Sequence, residues 1–281
     1  FPAEDGYRDV AVGLVGSEMC IRDRFMHSAS QAKRRGPGGY LFGIYAWVVF
    51  ILFAFGAVLA ATLLPGLERR RRWVSAIARM PFTFIGVRVD VSGLDKLPAG
   101  DCVVVANHAS YLDGVLLQAY LPPRFSYVIK HEVRDLPVMG FLLKRIGSKF
   151  VDRFDTSASA RDARHLLKAA RGGESLAFFP EGTFIAEPGL GRFRPGAFAA
   201  ATRAGIPLVP VVISGSRRML PAETVLPRYG RLRIDILDPI DQSEPAWGNL
   251  REFAALARDR ILEVLDEPDL VALKASGMTG D

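Results

Sequence analysis

The sequence predicts an α/β fold, in which helices flank a mixed, mostly parallel sheet, preceded by an N-terminal helical segment that anchors the chain to a membrane. After residue 85, short apolar runs alternate with segments of helical periodicity, which is the pattern of βαβ units. Several of these runs are continuously apolar, as strands are when helices cover both faces of a sheet. The anchor is predicted from a long stretch without charge.

The elements of the α/β part follow one another in order. The strands are predicted at 86–91, 102–106, 126–130, 149–152, 175–179, 208–214 and 231–237. The helices are predicted at 113–120, 137–146, 157–171, 195–204 and 247–266. Glycine and proline support several helix ends, because Gly172-Gly173 and Gly205-Ile206-Pro207 stop helices and Pro195 suits a first helical turn.

The predicted anchor is the segment 40–64, which contains no charged residue. As a helix it would be about 37 Å long, enough to cross a hydrocarbon core of about 30 Å. Basic runs flank it at 33–35 and 69–72. Because both flanks of the segment are basic, the positive-inside rule separates the two orientations of the helix by only a small margin. It favours a cytoplasmic location for the part of the chain that follows the helix. The alternative is a monotopic anchor that enters one leaflet, with residues 73–87 at the interface.

Composition and motifs exclude several classes of function. The formal charge is +6, and basic residues cluster near the apolar segment, which indicates a membrane surface rather than a nucleic acid as the partner. The two cysteines, Cys20 and Cys102, are too few for a disulfide framework and fit a reducing compartment. The sequence has no Gly-rich phosphate loop and no metal-ligand spacing, so we predict neither a cofactor nor a metal.

A histidine and a carboxylate lie close together in Asn107-His108-Ala109-Ser110-Tyr111-Leu112-Asp113, directly after the predicted strand 102–106. A strand's carboxyl end followed by a helix start is where open α/β sheets usually place their sites. A carboxylate beside an imidazole fixes its tautomer and raises its basicity, as a general base requires. The sequence therefore predicts that His108 and Asp113 are catalytic.

Two other interpretations of this box remain open at this point. In the first, His108 is a turn residue and Asp113 only caps a helix. In the second, Ser110 is the nucleophile of a hydrolase, although the chain has no Gly-x-Ser-x-Gly elbow and Ser110 suits a helix cap better. The other histidines are expected on solvated surfaces: His27, His131 and His165.

A second box, Pro180-Glu181-Gly182-Thr183-Phe184, follows the predicted strand 175–179. Together and in this order, the His-x4-Asp box and the Phe-Pro-Glu-Gly-Thr box resemble the glycerolipid acyltransferase family. The best-known members of that family are the 1-acylglycerol-3-phosphate acyltransferases. The resemblance covers roughly residues 86–240, and each box follows a predicted strand.

The resemblance implies a membrane-bound O-acyltransferase that acts in phospholipid synthesis. It would transfer a fatty acyl group from acyl-CoA or acyl-carrier protein to the sn-2 hydroxyl of 1-acylglycerol-3-phosphate, forming phosphatidic acid. Such an enzyme would face the cytoplasm from the inner membrane of a bacterium. The alternatives are acylation of another lysolipid, such as a lyso-ornithine lipid, and a catalytically silent membrane adaptor.

The resemblance also implies roles for individual residues. His108 would take the proton of the substrate's own hydroxyl, which replaces the serine of a hydrolase, and Asp113 would orient the imidazole. The stretch Gly147-Ser148-Lys149-Phe150-Val151-Asp152-Arg153 resembles the family's second block. The arginine of that block helps to bind the acceptor phosphate, so Arg153 would bind it here. The alternative for Arg153 is a surface ion pair with Asp152 or Asp155.

The third block implies that Glu181 engages the acceptor, that Gly182 permits a close backbone approach and that Thr183 lies at the same site. Glu181 has a structural alternative, as a buried carboxylate at a strand end. The fourth block is matched by Val209-Pro210-Val211, which would line the acyl side or simply form a core strand.

One position departs from the pattern of the family. Many relatives have arginine where this chain has Phe184, and the missing cation puts one phosphate contact in doubt. Arg192 and Arg194 lie nearby in the sequence, in Gly191-Arg192-Phe193-Arg194-Pro195-Gly196. Arg194 also matches a family position, a basic residue followed two positions later by glycine at a helix start. We therefore include Arg194 among the predicted acceptor-binding residues.

These interpretations divide the chain into five parts. The chain begins with Phe1, and 1–25 lack periodicity, so we expect a non-native or disordered extension there. A basic tail follows at 26–39, the membrane anchor at 40–85 and the acyltransferase domain at 86–270. Residues 271–281 are predicted to be a frayed tail.

Overall fold

The computed structural model of the protein describes residues 36–152, 156–184, 187–222 and 224–276. The chain divides into two compact units, Phe1–Leu41 and Phe42–Asp281. Only 36–41 of the first unit are described, and they begin the first helix. The predicted extension at 1–25 lies outside the described residues, as does most of the predicted basic tail.

The described residues form an α/β domain after two long helices. The helices are α1 Pro37–Leu63, α2 Leu67–Phe84, α3 Leu112–Tyr120, α4 Pro137–Arg145, α5 Thr156–Arg171, α6 Gly196–Ala204, α7 Ser216–Met219, α8 Leu250–Leu262 and α9 Leu270–Ala275. The strands are β1 Val89–Ser92, β2 Val103–Ala106, β3 Phe125–Lys130, β4 Lys149–Val151, β5 Ser175–Phe178, β6 Leu208–Ser214 and β7 Leu232–Ile236. Short 3₁₀ turns lie at Leu94–Lys96, His131–Asp135 and Pro245–Gly248.

The strands form one seven-stranded sheet in the order β1-β7-β6-β2-β5-β3-β4. Every neighbouring pair is parallel except β6 and β7, which are antiparallel. The predicted fold class, a mixed and mostly parallel sheet with flanking helices, is therefore confirmed. Each predicted strand is found, with ends shifted by at most three residues.

Both faces of the sheet are covered, which explains the continuously apolar strands. In β2 the side chains of Val104 and Ala106 belong to a core that includes Leu116 of α3. Val103 and Val105 point to the other face and belong to a second core around Phe198 and Phe253. This alternation follows from the two-residue period of a strand. Each fully buried Leu or Phe contributes about 1.5–3 kcal/mol to stability.

The central strands determine where functional side chains meet. β2 pairs in parallel with β5 on one side and with β6 on the other, so the carboxyl ends of all three lie at one edge of the sheet. Asn107 fixes the chain as it leaves β2, because its side chain donates to the Ile213 carbonyl (2.9 Å) and accepts from the Ile213 N–H (2.7 Å). The two predicted boxes, which follow β2 and β5, therefore lie side by side.

The N-terminal helices differ from the rest in how much apolar surface they expose. Small residues on one side of α1 are buried, among them Ala46, Ala57 and Ala61. The opposite side exposes large apolar residues: Ile44, Val48, Ile51, Leu52, Phe55, Leu59 and Leu63. By length and composition α1 is able to cross a membrane. α2 exposes Trp73, Met80 and Phe84, within the segment predicted to lie at an interface.

Residues 271–275 of the segment predicted as a frayed tail belong to helix α9, and 277–281 lie outside the described residues. Asp269 caps α9 by accepting the N–H groups of Val271 (2.8 Å) and Ala272 (3.0 Å), and Leu270 is almost fully buried. A cap and one buried anchor hold this short helix on the domain. The segment predicted as a tail therefore begins inside α9.

Candidate active site

His108 and Asp113 form the pair that their spacing predicts. His108 lies in the loop between β2 and α3, and Asp113 lies in the first turn of α3. The His108 Nδ1 atom is 3.0 Å from the Asp113 Oδ2 atom. The Asp113 side chain is fully buried, whereas the His108 side chain is 17% exposed. An Nδ1–H held by the carboxylate leaves Nε2 unprotonated and available to a substrate proton.

Asp113 also shapes the loop that carries His108. Its Oδ2 atom accepts the backbone N–H groups of Ala109 (2.6 Å) and Ser110 (2.8 Å). Asp113 lies within α3 rather than at its N-cap, so it is not a helix cap: it binds backbone donors of the preceding loop and the imidazole as well. One buried carboxylate thus fixes the loop and orients the ring together.

Ser110 is fully buried and its hydroxyl is used in the structure of the loop. Its Oγ atom donates to the Leu220 carbonyl (2.7 Å) and accepts from the Leu112 N–H (3.2 Å). The second contact binds an N–H group at the start of α3, whose N-cap position is Tyr111 rather than the predicted Ser110. Both contacts use the Ser110 hydroxyl within the protein, which argues against Ser110 as a nucleophile.

Glu181 connects the two boxes through backbone groups. Its Oε1 atom accepts the His108 N–H (2.7 Å), and its Oε2 atom accepts the Gly191 N–H (2.8 Å). Burial raises the pKa of the Glu181 carboxyl, partly opposed by these two N–H donors. Both oxygens are engaged by the protein, which favours the structural alternative over the acceptor contact that the resemblance implies.

Aromatic side chains surround His108, and sequence reasoning missed their role. The Phe179 ring stacks on the imidazole with centroids 4.2 Å apart and planes 19° from parallel. Phe184 contacts the imidazole at 4.5 Å and 61°, and Tyr111 contacts Phe184 at 4.7 Å and 90°. The available signal was an aromatic residue at each end of the second box. Phe184, the departure from the family pattern, therefore packs against His108.

Two of the remaining predicted site residues line one cavity, which reaches His108 through the stacked ring of Phe179. Gly182 and Arg194 line a cavity of about 430 Å³, together with Phe179, Asp152 and apolar residues of α5 and α6. Gly182 has a φ of +87°, a conformation that favours glycine, and Thr183 beside it is exposed. Arg153 follows the cavity-lining Asp152 but lies outside the described residues. No trio of metal-ligand side chains occurs within the described ranges.

Comparison with known proteins identifies the family of the chain. The family model described as Acyltransferase matches residues 88–214. A 1-acyl-sn-glycerol-3-phosphate acyltransferase of Haemophilus influenzae is 30% identical over 178 residues, which cover 62% of this chain and 72% of that relative. A chloroplastic 1-acyl-sn-glycerol-3-phosphate acyltransferase of Brassica napus is 33% identical over 172 residues, or 60% of this chain. The chain spans about half the length of this plant relative, 48%.

The fold is also that of a solved structure. The crystal structure of the 1-acyl-sn-glycerophosphate acyltransferase of Thermotoga maritima superposes with a TM-score of 0.67 at 21% identity, covering 80% of this chain and 95% of that one. The 30% identity to the Haemophilus influenzae relative, 72% of whose length is covered, shows that the chain belongs to the glycerolipid acyltransferase family. Its named relatives are 1-acyl-sn-glycerol-3-phosphate acyltransferases, so the resemblance inferred from the two boxes is confirmed.

Proposed function

We propose that the protein transfers a fatty acyl group from a thioester, acyl-CoA or acyl-carrier protein, to the sn-2 hydroxyl of 1-acylglycerol-3-phosphate. The observation that carries this proposal is the His108–Asp113 pair, whose Nδ1–Oδ2 contact leaves Nε2 for a substrate hydroxyl. The names of the curated relatives support the choice of acceptor.

The proposed reaction needs no protein nucleophile. The Nε2 atom of His108 takes the hydroxyl proton as the acceptor oxygen attacks the thioester carbonyl. Asp113 stabilises the imidazolium that forms. When the tetrahedral intermediate collapses, the carbon–sulfur bond breaks and the imidazolium returns its proton to the leaving thiolate. The products are an ester and a free thiol, and His108 is neutral again.

We propose that the acceptor phosphate binds at the 430 Å³ cavity beside His108. Arg194 lines that cavity and is exposed, and a guanidinium forms bidentate hydrogen bonds with a phosphate. Arg153, next in the chain to the cavity-lining Asp152, would supply a second cation. Gly182 lacks a side chain at the same wall, so the headgroup approaches the backbone closely.

Phe184 keeps a second acceptor in consideration. Its ring lies against His108 and Tyr111 at the position where many relatives have arginine, so this part of the site offers an apolar surface instead of a cation. An acceptor without a phosphate, such as a lyso-ornithine lipid, would not need a cation at this position and would bind as well with phenylalanine as with arginine.

Thiol release from acyl-CoA with a panel of lysolipids will test the proposed function. We expect turnover with lysophosphatidic acid and rescue of a strain that lacks its lysophosphatidate acyltransferase. Arg153→Ala and Arg194→Ala should each raise the acceptor KM about 10-fold with little change in kcat, because a charge-assisted hydrogen bond contributes about 1.5–3 kcal/mol. Turnover with a lyso-ornithine lipid alone would instead establish the second acceptor.

We propose that α1 is a monotopic anchor rather than a membrane-spanning helix. The α/β domain holds it at two places: Trp47 donates to the Val225 carbonyl (2.6 Å), and Arg145 donates to the carbonyls of Ala61 (2.9 Å) and Thr62 (3.0 Å). A helix crossing the bilayer alone would have lipid around its whole circumference. Here only its outward, apolar face is available to lipid.

The surface of α4 extends the apolar face of α1. Leu136, Val138, Met139 and Phe141 are exposed on or beside α4, and the α4 residues Leu142 and Leu143 pack with Ala57 and Ala61 of α1. We propose that this continuous apolar surface rests in one leaflet of the inner membrane, on the cytoplasmic side. A lysolipid would then reach His108 from the membrane in which it resides.

Single cysteines at the two ends of α1 will distinguish the two topologies. In a background without other cysteines, Gly36→Cys and Pro65→Cys place exposed thiols just beyond the two ends of α1. For a monotopic anchor we expect a membrane-impermeant maleimide to label both thiols in inverted membrane vesicles and neither in right-side-out vesicles. Labelling of the two thiols from opposite sides would establish a spanning helix. A buried position, Ala46→Cys, is the unlabelled control.

A further inference from the structure

A short loop at residues 189–191 is linked to the proposed catalytic histidine through Glu181. The loop is hydrogen-bonded on two sides. On the side of the active site, the Gly191 N–H donates to Glu181, whose other oxygen accepts the His108 N–H. A single side chain, that of Glu181, therefore links the loop to the backbone of His108. A Cβ atom at Gly191 would come within 2.9 Å of Glu181 Oε2, which shows how closely the two are packed.

On its other side the loop is held by Arg258 of α8. The Arg258 Nε atom donates to the Gly191 carbonyl (2.9 Å), and its Nη2 atom donates to the Leu190 carbonyl (3.0 Å). The same guanidinium pairs with Asp269 through Nη1 (2.9 Å) and Nη2. The Arg258 side chain is only 10% exposed. A buried arginine with this set of partners fixes the loop and the C-terminal segment together.

The C-terminal segment adds its own contacts to the loop. Leu190 forms a parallel bridge with Asp269, donating to the Pro268 carbonyl (2.9 Å) and accepting the Leu270 N–H (3.2 Å). Glu267 accepts the Gly189 N–H (2.9 Å) and pairs with Arg217 of α7. The Arg258–Asp269 pair also lowers the pKa of Asp269 to about 2, so this carboxylate is ionised at neutral pH.

These contacts form one continuous path from α9 to the active site: Asp269, Arg258, Gly191, Glu181 and His108. We propose that Arg258 is a positioning residue, which keeps Gly191 on Glu181 and thereby fixes the His108 backbone at the end of β2. This inference rests on the proposed function, in which His108 is the base. It assigns the residues that directly precede α9 a part in positioning the base.

The expected effect of Arg258→Ala is a loss of kcat rather than of acceptor affinity. Releasing the loop lets the imidazole move, and small misplacements of a catalytic group lower rates by about 10- to 100-fold. The acceptor KM should stay within about 2-fold, because Arg258 lies behind the site. Arg258→Lys keeps a cation for Asp269 and one donor for the loop, so we expect it to recover part of kcat.

Arg260→Ala is the matched control. Arg260 lies on the same helix and pairs with Glu244, a residue outside the 189–191 loop, so its removal deletes a similar ion pair from α8. We expect kcat to remain within about 2-fold of the wild type. An equal loss of kcat in the two variants would overturn the positioning role, because the effect would then follow from α8 alone.

A double-mutant cycle with Glu181→Gln tests whether the path runs through Glu181. If it does, adding Arg258→Ala to the Glu181→Gln variant should lower kcat by less than about 2-fold, because Glu181→Gln has already broken the link. A double variant whose loss of kcat is the product of the two single losses would overturn the proposal. If Arg258→Ala does not fold, Asp269→Asn replaces it in the cycle, since it removes the charge partner of Arg258 while asparagine still caps α9.

Hydrogen exchange gives a readout that does not depend on turnover. We expect Arg258→Ala to accelerate exchange of the amides in both 189–193 and 107–112, and Arg260→Ala to accelerate neither. Faster exchange in 189–193 alone would overturn the link to His108. If the wild-type protein acylates no lysolipid, the proposed function fails, whereas the exchange result still decides whether Arg258 holds the His108 loop.

Discussion

His108→Ala should lower acyl transfer to lysophosphatidic acid by about 10²- to 10⁴-fold, the contribution that a positioned general base typically makes. The reason is that, in the proposed mechanism, the hydroxyl proton passes to His108 as the acceptor attacks the thioester. The fold should survive, because Asp113 keeps its contacts with the Ala109 and Ser110 N–H groups. The measurement is thiol release from acyl-CoA, with circular dichroism to confirm folding.

His165→Ala is the control for the loss of a histidine. His165 is exposed on α5, so its removal should leave turnover within about 2-fold of the wild type, as is usual for surface substitutions. Turnover like that of the wild type in His108→Ala would contradict the base assignment. It would also return the Ser110 alternative to consideration.

Asp113→Asn should lower kcat by about 10²-fold or more while the protein stays folded. An asparagine oxygen in the place of Oδ2 still accepts the two backbone N–H groups and the imidazole N–H. The amide is neutral, however, so it stabilises the imidazolium far less. Its NH₂ group would also point a donor at the buried position of Oδ1, for which the described structure offers no partner. Thiol-release kinetics and a thermal melt measure the two effects separately.

The matched control is Asp235→Asn on β7. Asp235 is also a buried carboxylate, and it pairs with Ser92 (2.6 Å) and Arg233 (2.8 Å) away from the active site. We expect its melting temperature to fall while kcat stays near that of the wild type. Equal losses of kcat in the two variants would mean that Asp113 acts only through stability.

The strands and the histidine–carboxylate pair were predictable from the sequence because local signals determine them. The continuously apolar run ending at Ala106 indicates a buried strand, and five positions separate His108 from Asp113 across a turn that leads into a helix. Parallel pairing of β2 with β5 then brings Glu181 to the same edge. Each of these inferences depends on residue type and spacing, which the sequence gives directly.

The contacts that the sequence did not predict are tertiary ones. Glu181 accepts two backbone N–H groups, one of them from Gly191, and backbone donors leave no mark on the residue pattern. Phe184 was recognised as a departure but not as a neighbour of His108, because its position depends on how the loop after β5 folds. The role of Arg258 depends on a loop and a C-terminal segment that meet only in the folded chain.

Spanning and monotopic anchors were indistinguishable in the sequence because both require a long uncharged helix. The monotopic anchor is favoured by the small residues on the inner side of α1, such as Gly43 and Ala46. Gly43 lies close to the main chain and side chain around Leu226, where a Cβ would meet atoms at 3.0 Å. Such a close approach needs a partner surface along the helix, and the sequence does not say which surface that is.

The ring stack on His108 has a consequence for the direction from which an acceptor hydroxyl can approach the imidazole. Phe179 covers one face of the imidazole almost in parallel, and the lone pair of Nε2 lies in the plane of the ring. In the proposed reaction, the acceptor hydroxyl must therefore arrive edge-on, along a line that Phe179 and Asp113 fix together. We expect that an acceptor whose hydroxyl cannot enter that plane binds without reacting.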